Sequence, residues 1–410
     1  MVAAAAAASP VPVPERHIVV VGGGVIGAAT AYYLASHPGR HAARITVCET
    51  SYLIAPGASS KSGGFLASDW HDHGTASLAA LSFRLHSELA EEHDGEARWA
   101  YRRLKTYEAD IDNTIPPQHH DVRELDWIDP RVLASELDLL GDESTTAQVT
   151  PGLLSIFLLE HARDRLDVDL LLGTAVRSIH TGDDGRVTSL TVSREGDVVD
   201  EIQATDIIVC AGPWTGAFFK VAIDPTSPLQ RLPFVKTASR IGGQRAHSIV
   251  VRGTRPVGNH ALFVNKISYL AARSATKAGN PELYCRPDGT VYVCGAPDGE
   301  ELPHTADDVD FSERQVEKLI EQTAVVAPQV FGPDAEIVVR QACFLPMSEA
   351  TKNPIINFSQ QHGLGVAAGH TCWGITLSLG TGKVMAELIF DGRAHSADIR
   401  ALDGLKVRAE

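Results

Sequence analysis

Residues 17–49 read HIVVVGGGVIGAATAYYLASHPGRHAARITVCE, and this stretch decides the fold. An apolar run enters a glycine turn, small and apolar residues follow at helical spacing, and a second apolar run ends at Glu49. This order of strand, glycine turn, helix, strand and acid is typical of a βαβ unit that binds a dinucleotide. The alternative is an ordinary βαβ crossover, and the unit alone does not distinguish NAD from FAD.

Each glycine of the turn has a physical role. Gly22 permits the tight turn, Gly24 lets a pyrophosphate approach the backbone, and Gly27 lets the helix pack close to the strand. The positive end of the helix then faces the phosphates. We expect the Glu49 carboxylate to accept hydrogen bonds from a ribose diol, and the small-residue loop at 54–65 to wrap the phosphates.

Length and charge limit the classes of protein that fit. The 410 residues exceed one typical domain, so we expect two lobes. The content of 44% hydrophobic and 21% charged residues is that of a soluble globular protein. A net charge of −15 argues against nucleic acid or an anionic membrane as partner, and no apolar run is long enough for a membrane span.

The cysteines and the first residues bear on location. Six cysteines without a CxxC pair indicate a reducing compartment, so we expect a cytoplasmic protein. Residues 1–16 are rich in alanine and proline and are predicted to form a disordered tail, with a short organelle address as the alternative. Residues 71–73 read HDH but have no matching distant ligands, so we predict no metal site.

Two later segments repeat the pattern of a strand that enters a glycine loop. Residues 207–210 lead into Ala211, Gly212 and Trp214. Residues 364–368 lead into a glycine-rich loop predicted over 369–382, with a helix over 383–390. Between them, residues 223–335 alternate short apolar runs with turns, which predicts an antiparallel sheet.

The three signatures together resemble the D-amino-acid-oxidase-like (DAO) family of FAD-dependent oxidoreductases, in its glycine oxidase and sarcosine oxidase branch. The resemblance covers residues 16–395, favours FAD over NAD, and suggests a subgroup described only as oxidoreductases. It implies an α/β (α+β) fold of two lobes. The FAD-binding domain would be Rossmann-like and discontinuous, at 17–93, 149–222 and 336–410, and an antiparallel-sheet substrate domain would comprise 94–148 and 223–335.

The resemblance also implies a set of residues around the cofactor. Those expected to bind FAD are Gly22, Gly24, Val25, Ile26, Gly27, Glu49, Ser59, Ser60, Lys61, Gly64, Val176, Ala211, Gly212, Trp214, Cys343, Gly369, Gly374, Ile375 and Thr376. His370 and Trp373 would lie by the flavin ring as candidate catalytic or pocket residues. A structural histidine that is fully hydrogen-bonded is an equal alternative for His370.

The resemblance implies an enzyme that oxidises the CH–N bond of an amine or amino acid. Hydride passes to flavin N5, the imine hydrolyses in water, and O2 or another acceptor removes the electrons. Two positions depart from the pattern, and a third matches only the sarcosine oxidases. Glycine oxidase has a carboxylate-binding arginine where Leu345 stands; Arg286 or Arg340 is an alternative for this role, although a surface arginine is the favoured interpretation of each.

The strand at 291–295 has no lysine of the kind that speeds the reaction of sarcosine oxidases with oxygen; Lys61 or Lys236 is an alternative, although a solvated lysine is favoured. Cys343 stands where sarcosine oxidases attach FAD covalently, although a buried thiol is the favoured interpretation.

Two other functions remain as alternatives. The first is an FAD-binding regulatory or trafficking module with little turnover, which the missing arginine and lysine would suit. The second is an NAD-dependent dehydrogenase, against which the motifs around Trp214 and His370 argue.

Overall fold

The computed structural model describes residues 16–41, 43–118, 120, 122–194, 198–270 and 276–405. The predicted tail, apart from Arg16, lies outside the described residues. So do residues 406–410 of the last predicted FAD-binding segment. No helix in the described part has the length and apolar character needed to cross a bilayer.

The strands of the described residues are numbered in chain order. They are β1 (His17–Val21), β2 (Arg44–Cys48), β3 (Phe65–Ala67), β4 (Arg102–Arg103), β5 (Lys105–Asp112), β6 (Asp138–Gly141), β7 (Thr146–Gln148), β8 (Val168–Leu171), β9 (Ala175–Thr181), β10 (Val187–Arg194), β11 (Val198–Gln203), β12 (Asp206–Val209), β13 (Ile241–Arg252), β14 (His260–Leu270), β15 (Thr276–Gly279), β16 (Glu282–Cys285), β17 (Thr290–Gly295), β18 (Glu336–Ser348), β19 (Ile355–Ser359) and β20 (Leu364–Ala368).

The α-helices are numbered in the same way. They are α1 (Val25–Ser36), α2 (Ala58–Lys61), α3 (Ala76–His93), α4 (Gly95–Trp99), α5 (Pro151–Leu166), α6 (Thr215–Ala222), α7 (Pro233–Ala238), α8 (Glu313–Val326), α9 (Pro328–Phe331) and α10 (Gly374–Phe390).

The first large sheet contains the predicted βαβ unit. Its strand order is β19-β20-β12-β1-β2-β8, and all neighbours are parallel except the β19–β20 pair. Strand β2 lies on one side of β1 and β12 lies on the other side, so the strand order reverses at β1. Open parallel sheets bind ligands at such a point.

Alternate residues of β1 face two different apolar cores. Ile18 and Val20 pack towards helices α1, α3, α5 and α10. Val19 and Val21 pack towards the small sheet β11-β10-β9 and helices α6 and α7. A parallel strand covered on both faces explains the continuous apolar run in the sequence.

The second large sheet is mainly antiparallel, as predicted from the alternating segments. Its order is β18-β13-β17-β16-β14-β5-β6, with β15 paired to β14, and only β14 and β5 run parallel. Leu283 and Val293 on one face belong to the core beneath α8. Tyr284 and Tyr292 on the other face form a separate cluster that looks towards the first sheet.

Two predicted domain boundaries need correction, and the rest of the division stays a prediction. Residues 336–348 were assigned to the FAD-binding domain, but β18 pairs along its length with β13 and therefore lies in the second sheet. Residues 223–240 were assigned to the substrate domain, but Phe234 and Val235 of α7 pack into the core of the first sheet. Both errors arise because pairing partners lie far away in sequence.

The predicted loop before the last helix is also too long. Helix α10 begins at Gly374 rather than at residue 383, and Gly380 and Gly382 lie inside it. A Cβ at Gly382 would lie 2.5 Å from the backbone of Ala29 in α1, and one at Gly380 would lie 2.9 Å from Cβ of Ser82 in α3. These glycines therefore permit close helix crossings and do not form a loop.

Candidate functional site

A cavity of about 800 Å³ lies at the carboxyl end of β1, between the two large sheets. Gly22 and Gly24 line it from the first sheet, and Tyr284 and Tyr292 line it from the second. Its volume is within the range of small-molecule and cofactor sites. The described residues thus bring the glycine turn and the antiparallel sheet to one site.

The turn between β1 and α1 closes only with glycine at two positions. Gly22 has φ +109°, and its N–H donates to the carbonyl of Cys48 over 2.8 Å. A Cβ at Gly27 would lie 1.9 Å from the carbonyl oxygen of Gly22. The backbones of Gly22 and Gly27 are therefore in direct contact where the strand leads into the helix, as the sequence predicted.

The N-terminus of α1 opens into the cavity. Its N-cap, Gly24, makes no side-chain cap, and no acidic residue lies in the first turn. Ser59 Oγ accepts a hydrogen bond from the N–H of Val25 over 2.9 Å. A Cβ at Gly24 would approach Ser59 Oγ to 3.1 Å, so a side chain there would narrow this space. The positive end of the helix fits an anionic pyrophosphate.

Glu49 is held beneath the turn and is only 8% exposed. Its Oε2 accepts from the N–H of Gly23 over 2.7 Å, and its Oε1 accepts from the N–H of Ser51 over 2.9 Å. Burial raises the pKa of this carboxyl, and the two N–H groups act in the opposite direction. Each oxygen keeps a lone pair for a ligand hydroxyl, which suits a ribose.

The opposite wall of the cavity is aromatic. The ring centroids of Tyr284 lie 5.5 Å from Phe65, 5.7 Å from Phe263 and 5.8 Å from Tyr292. Trp70 packs against Phe263 with centroids 5.2 Å apart. We call the six rings the aromatic wall: Phe65, Trp70, Phe263, Tyr284, Tyr292 and Trp373. All of them line the cavity.

The chain matches, over residues 17–388, the model of the DAO family, which is described as FAD dependent oxidoreductase. The match covers far more than half of the chain. This protein is a member of the DAO family. This match confirms the predicted family, together with the predicted fold class and FAD as the cofactor of the family.

Two yeast relatives of this DAO-family chain carry the name "Putative oxidoreductase". One, from Schizosaccharomyces pombe, is 37% identical over 401 residues, which cover 95% of this chain and 98% of the relative. The other, from Saccharomyces cerevisiae, is 27% identical over 526 aligned positions and covers 95% of this chain and 94% of the relative.

Solved structures share the DAO-family fold at low identity. Glycine oxidase from Geobacillus kaustophilus matches with a TM-score of 0.71 and 19% identity, over 95% of this chain and 98% of that chain. L-proline dehydrogenase from P. horikoshii matches with a TM-score of 0.69 and 16% identity, over 96% and 98% of the two chains. At these identities the likeness establishes the fold alone.

Most of the predicted site residues of this DAO-family member line the cavity. They are Gly22, Gly24, Val25, Ile26, Glu49, Ser59, Gly64, Val176, Ala211, Gly212, Trp214, Cys343, Gly369, His370, Trp373, Gly374 and Ile375. Their role in binding FAD stays a prediction, and their shared location is the structural finding.

Four predicted residues do not line the cavity. Gly27 lies beneath the turn, and Ser60 and Lys61 belong to α2 at its edge. The carbonyl of Lys61 accepts from Tyr292 Oη over 3.0 Å, which ties α2 to the second sheet. Thr376 donates through Oγ1 to the carbonyl of Phe65 over 3.2 Å. These positions support the walls without facing the site.

His370 lies between β20 and α10 and is 1% exposed. Its Nε2 is 3.1 Å from Thr381 Oγ1, inside α10. Burial lowers the pKa of this imidazole to about 3, so the ring is neutral near neutral pH. The geometry favours the structural alternative, in which His370 fixes the turn to the helix, over a role in proton transfer.

Cys343 lies on β18 and is buried at the cavity. Burial raises the pKa of its thiol to about 11, and the charge of Lys61 opposes this only in part. A thiolate is the reactive form of cysteine. The surroundings of Cys343 therefore do not favour covalent attachment of the cofactor.

The sequence pattern predicted Trp373 at this site but none of the other five rings of the aromatic wall. Its signal is the alternation in ELYC of β16 and TVYVCG of β17, where every second residue faces one side. Which of the two sides faces a ligand depends on packing against α8, and that contact is remote in sequence.

Nowhere in the described part of the chain do three or more His, Cys, Asp or Glu residues form a group that could hold a metal ion.

Proposed function

We propose that this DAO-family protein oxidises the CH–N bond of a small amine or amino acid. FAD, when bound, supplies the acceptor for a hydride from the carbon beside the nitrogen. The observation that carries the proposal is the single cavity that extends from the glycine turn of β1 to the aromatic wall. It has room for a dinucleotide at one end and a small organic molecule at the other.

The chain would hold the cofactor largely through its backbone. The turn at Gly22 and Gly24 and the N-terminus of α1 would bind the pyrophosphate, and Glu49 would bind the ribose. A second helix N-terminus, that of α10 at Gly374, also lines the cavity and has no side-chain cap. Its positive end would stabilise negative charge on a reduced flavin ring.

The aromatic wall would exclude water from the reacting carbon. Low water content strengthens the electrostatic effect of the helix ends. The neutral His370 would keep the loop before α10 in place and would not exchange a proton. Imine hydrolysis follows in water after release and needs no further residue.

The electron acceptor is O2 or another oxidant. No lysine lines the cavity in the described part of the chain, and Leu345 lies on its wall. These two observations favour, as a second candidate, an FAD-binding regulatory or trafficking module with little turnover.

The test begins with the visible spectrum of the purified protein. We expect flavin bands near about 370 and about 450 nm, as flavins give in general. Anaerobic addition of amines and amino acids should then bleach the longer-wavelength band for at least one compound. A flavoprotein that no compound in a broad panel bleaches would favour the regulatory module, and a protein that cannot be loaded with FAD would contradict both functions.

A further inference from the structure

We propose that Glu282 and the aromatic wall bind the positively charged nitrogen of the substrate, so that this site selects cationic amines that lack a carboxylate. This inference rests on the proposed function and names its substrate class. It concerns the end of the cavity that the second sheet forms.

The strand register places Glu282 at the cavity. Glu282 of β16 pairs with Cys294 of β17, and Tyr284 pairs with Tyr292. The residues between them, Leu283 and Val293, point into the core beneath α8. Side chains alternate along a strand, so the two pairs lie on the face of the sheet opposite to that core. All four of their side chains line the cavity.

Glu282 has neutral partners only. Its Oε2 accepts from Tyr284 Oη and from Cys294 Sγ, the latter over 3.5 Å. Among the described residues, no lysine, arginine or histidine forms an ion pair with it. Arg286, which follows β16, instead lies over the Tyr292 ring, with its guanidinium carbon 5.3 Å from the centroid. Burial raises the pKa of the Glu282 carboxyl.

Glu282 is half-buried, and a carboxylate partly withdrawn from water without a cation is costly, since desolvation is not repaid by a counter-charge. A protonated amine would supply that counter-charge, and its N–H proton would pass to the Glu282 carboxylate before hydride leaves the neighbouring carbon, so that the nitrogen lone pair is available. Trp70, Phe263 and Trp373 line the same cavity, and aromatic rings attract cations. Charge and ring arrangement therefore point to the same ligand chemistry.

Apart from the N-terminus of α10, which would face the flavin ring, the same wall offers little to an anion. Within the described residues, Arg177 is the one lysine or arginine that lines the cavity, and it lies on β9 beyond the first sheet, where it donates to Ser193 Oγ over 2.6 Å. Both ring nitrogens of His247 have partners within the protein, since Nε2 accepts from the N–H of Ser312 and Nδ1 lies 2.9 Å from the carbonyl of Ala296. A substrate carboxylate would find Leu345 and aromatic rings here.

The test is a binding titration followed through the spectrum of the bound flavin. Tetramethylammonium serves as the cation because it has no nitrogen lone pair and is not oxidised, and acetate serves as the anion. We expect tetramethylammonium to perturb the spectrum at lower concentration than acetate. Glu282→Gln should weaken tetramethylammonium binding at least tenfold and leave acetate binding unchanged.

The matched control is Glu96→Gln, which removes one charge from an exposed position on α4. It should leave both affinities as they are in the wild-type protein. Tighter binding of acetate than of tetramethylammonium by the wild-type protein would overturn the inference. An unchanged cation affinity in Glu282→Gln would do the same.

The two proposals fail in different ways. Loss of the proposed function appears before any titration, as a protein without flavin bands or without bleaching by any amine. If Glu282→Gln does not retain flavin, Phe263→Leu replaces it, since this change removes a ring and keeps an apolar side chain. A severalfold loss of cation affinity in Phe263→Leu is then expected, and no loss would overturn the inference.

Discussion

The two ends of the cavity are built in different ways. At the first sheet, backbone groups form the site, and Gly22, Gly24 and Gly27 act by having no side chain. At the second sheet, side chains form it, with Glu282 and the aromatic wall brought together across several strands. A site made of backbone tolerates almost no added atom, whereas a site made of side chains can change its chemistry by one substitution.

The largest effect should follow from adding one atom to the backbone end. In Gly27→Ala the new Cβ would meet the carbonyl oxygen of Gly22 at 1.9 Å, and neither backbone can move without opening the turn. We expect a loss of about 3 kcal/mol or more in the free energy of unfolding, with loss of bound flavin. Urea denaturation and flavin absorbance per mole of protein measure the two effects.

Gly299→Ala is the control for this change. A Cβ at Gly299 would meet no atom within 4 Å, and the position lies outside the cavity lining. It should retain flavin and full stability. If Gly27→Ala behaved like Gly299→Ala, the turn would be more adaptable than the contact between the two backbones implies, and the contrast between the two ends would fail.

An intermediate effect is expected at the side-chain end, and it depends on pH. Burial raises the pKa of Glu282 above the ordinary value of 4.5, so the folded protein keeps this proton to higher pH than the unfolded chain does. Protonated Glu282 therefore contributes to stability below the unfolded-state pKa of about 4.5, and this contribution is lost as pH rises through the folded-state pKa. The Glu282→Gln variant has no carboxyl group at this position, so its stability does not fall with pH for this reason.

Without amine present, Glu282→Gln should match the wild-type protein near pH 4 and exceed its free energy of unfolding at neutral pH, by on the order of 1 kcal/mol. Urea denaturation over that pH range measures the difference in free energy of unfolding between the two proteins. Titration of the groups that both proteins share cancels in this difference. A variant that is less stable than the wild-type protein at neutral pH would mean that the carboxylate has a partner that stabilises its charge.

The smallest effect is expected at Cys343, between the two ends. Because its thiol is buried and protonated, Cys343→Ala should keep its flavin absorbance, and acid precipitation should release flavin from both proteins. Flavin that stays with the precipitated wild-type protein and not with Cys343→Ala would instead establish a covalent bond. Such a result would make this side chain part of the cofactor site.

The contrast explains what the sequence could predict. The βαβ unit and Glu49 lie within 33 consecutive residues, so their arrangement follows from local pattern, and the family resemblance extended it to the loops at Ala211 and Gly369. Four rings of the aromatic wall lie on β3, β14, β16 and β17, and their shared location depends on strand register. Register is set by long-range pairing, which a single sequence does not display.

The same reason accounts for the individual errors. Placing β18 in the first sheet followed chain order, whereas its hydrogen bonds go to β13. Ending the glycine loop at residue 382 treated Gly380 and Gly382 as loop formers, although each is required by a helix that crosses nearby. The burial of His370 against Thr381 depends on that same helix, so its structural character was also hidden.

The close crossing of α10 over α1 has a consequence for ligand size. Both helices point their N-termini into the cavity, and at Gly382 and Ala29 they meet with no side chain between them. The separation of the two positive helix ends is thus set by the protein before any ligand arrives. A ligand that contacts both helix ends must therefore fit this fixed separation, because the contact at Gly382 leaves no room for the two helices to move closer together.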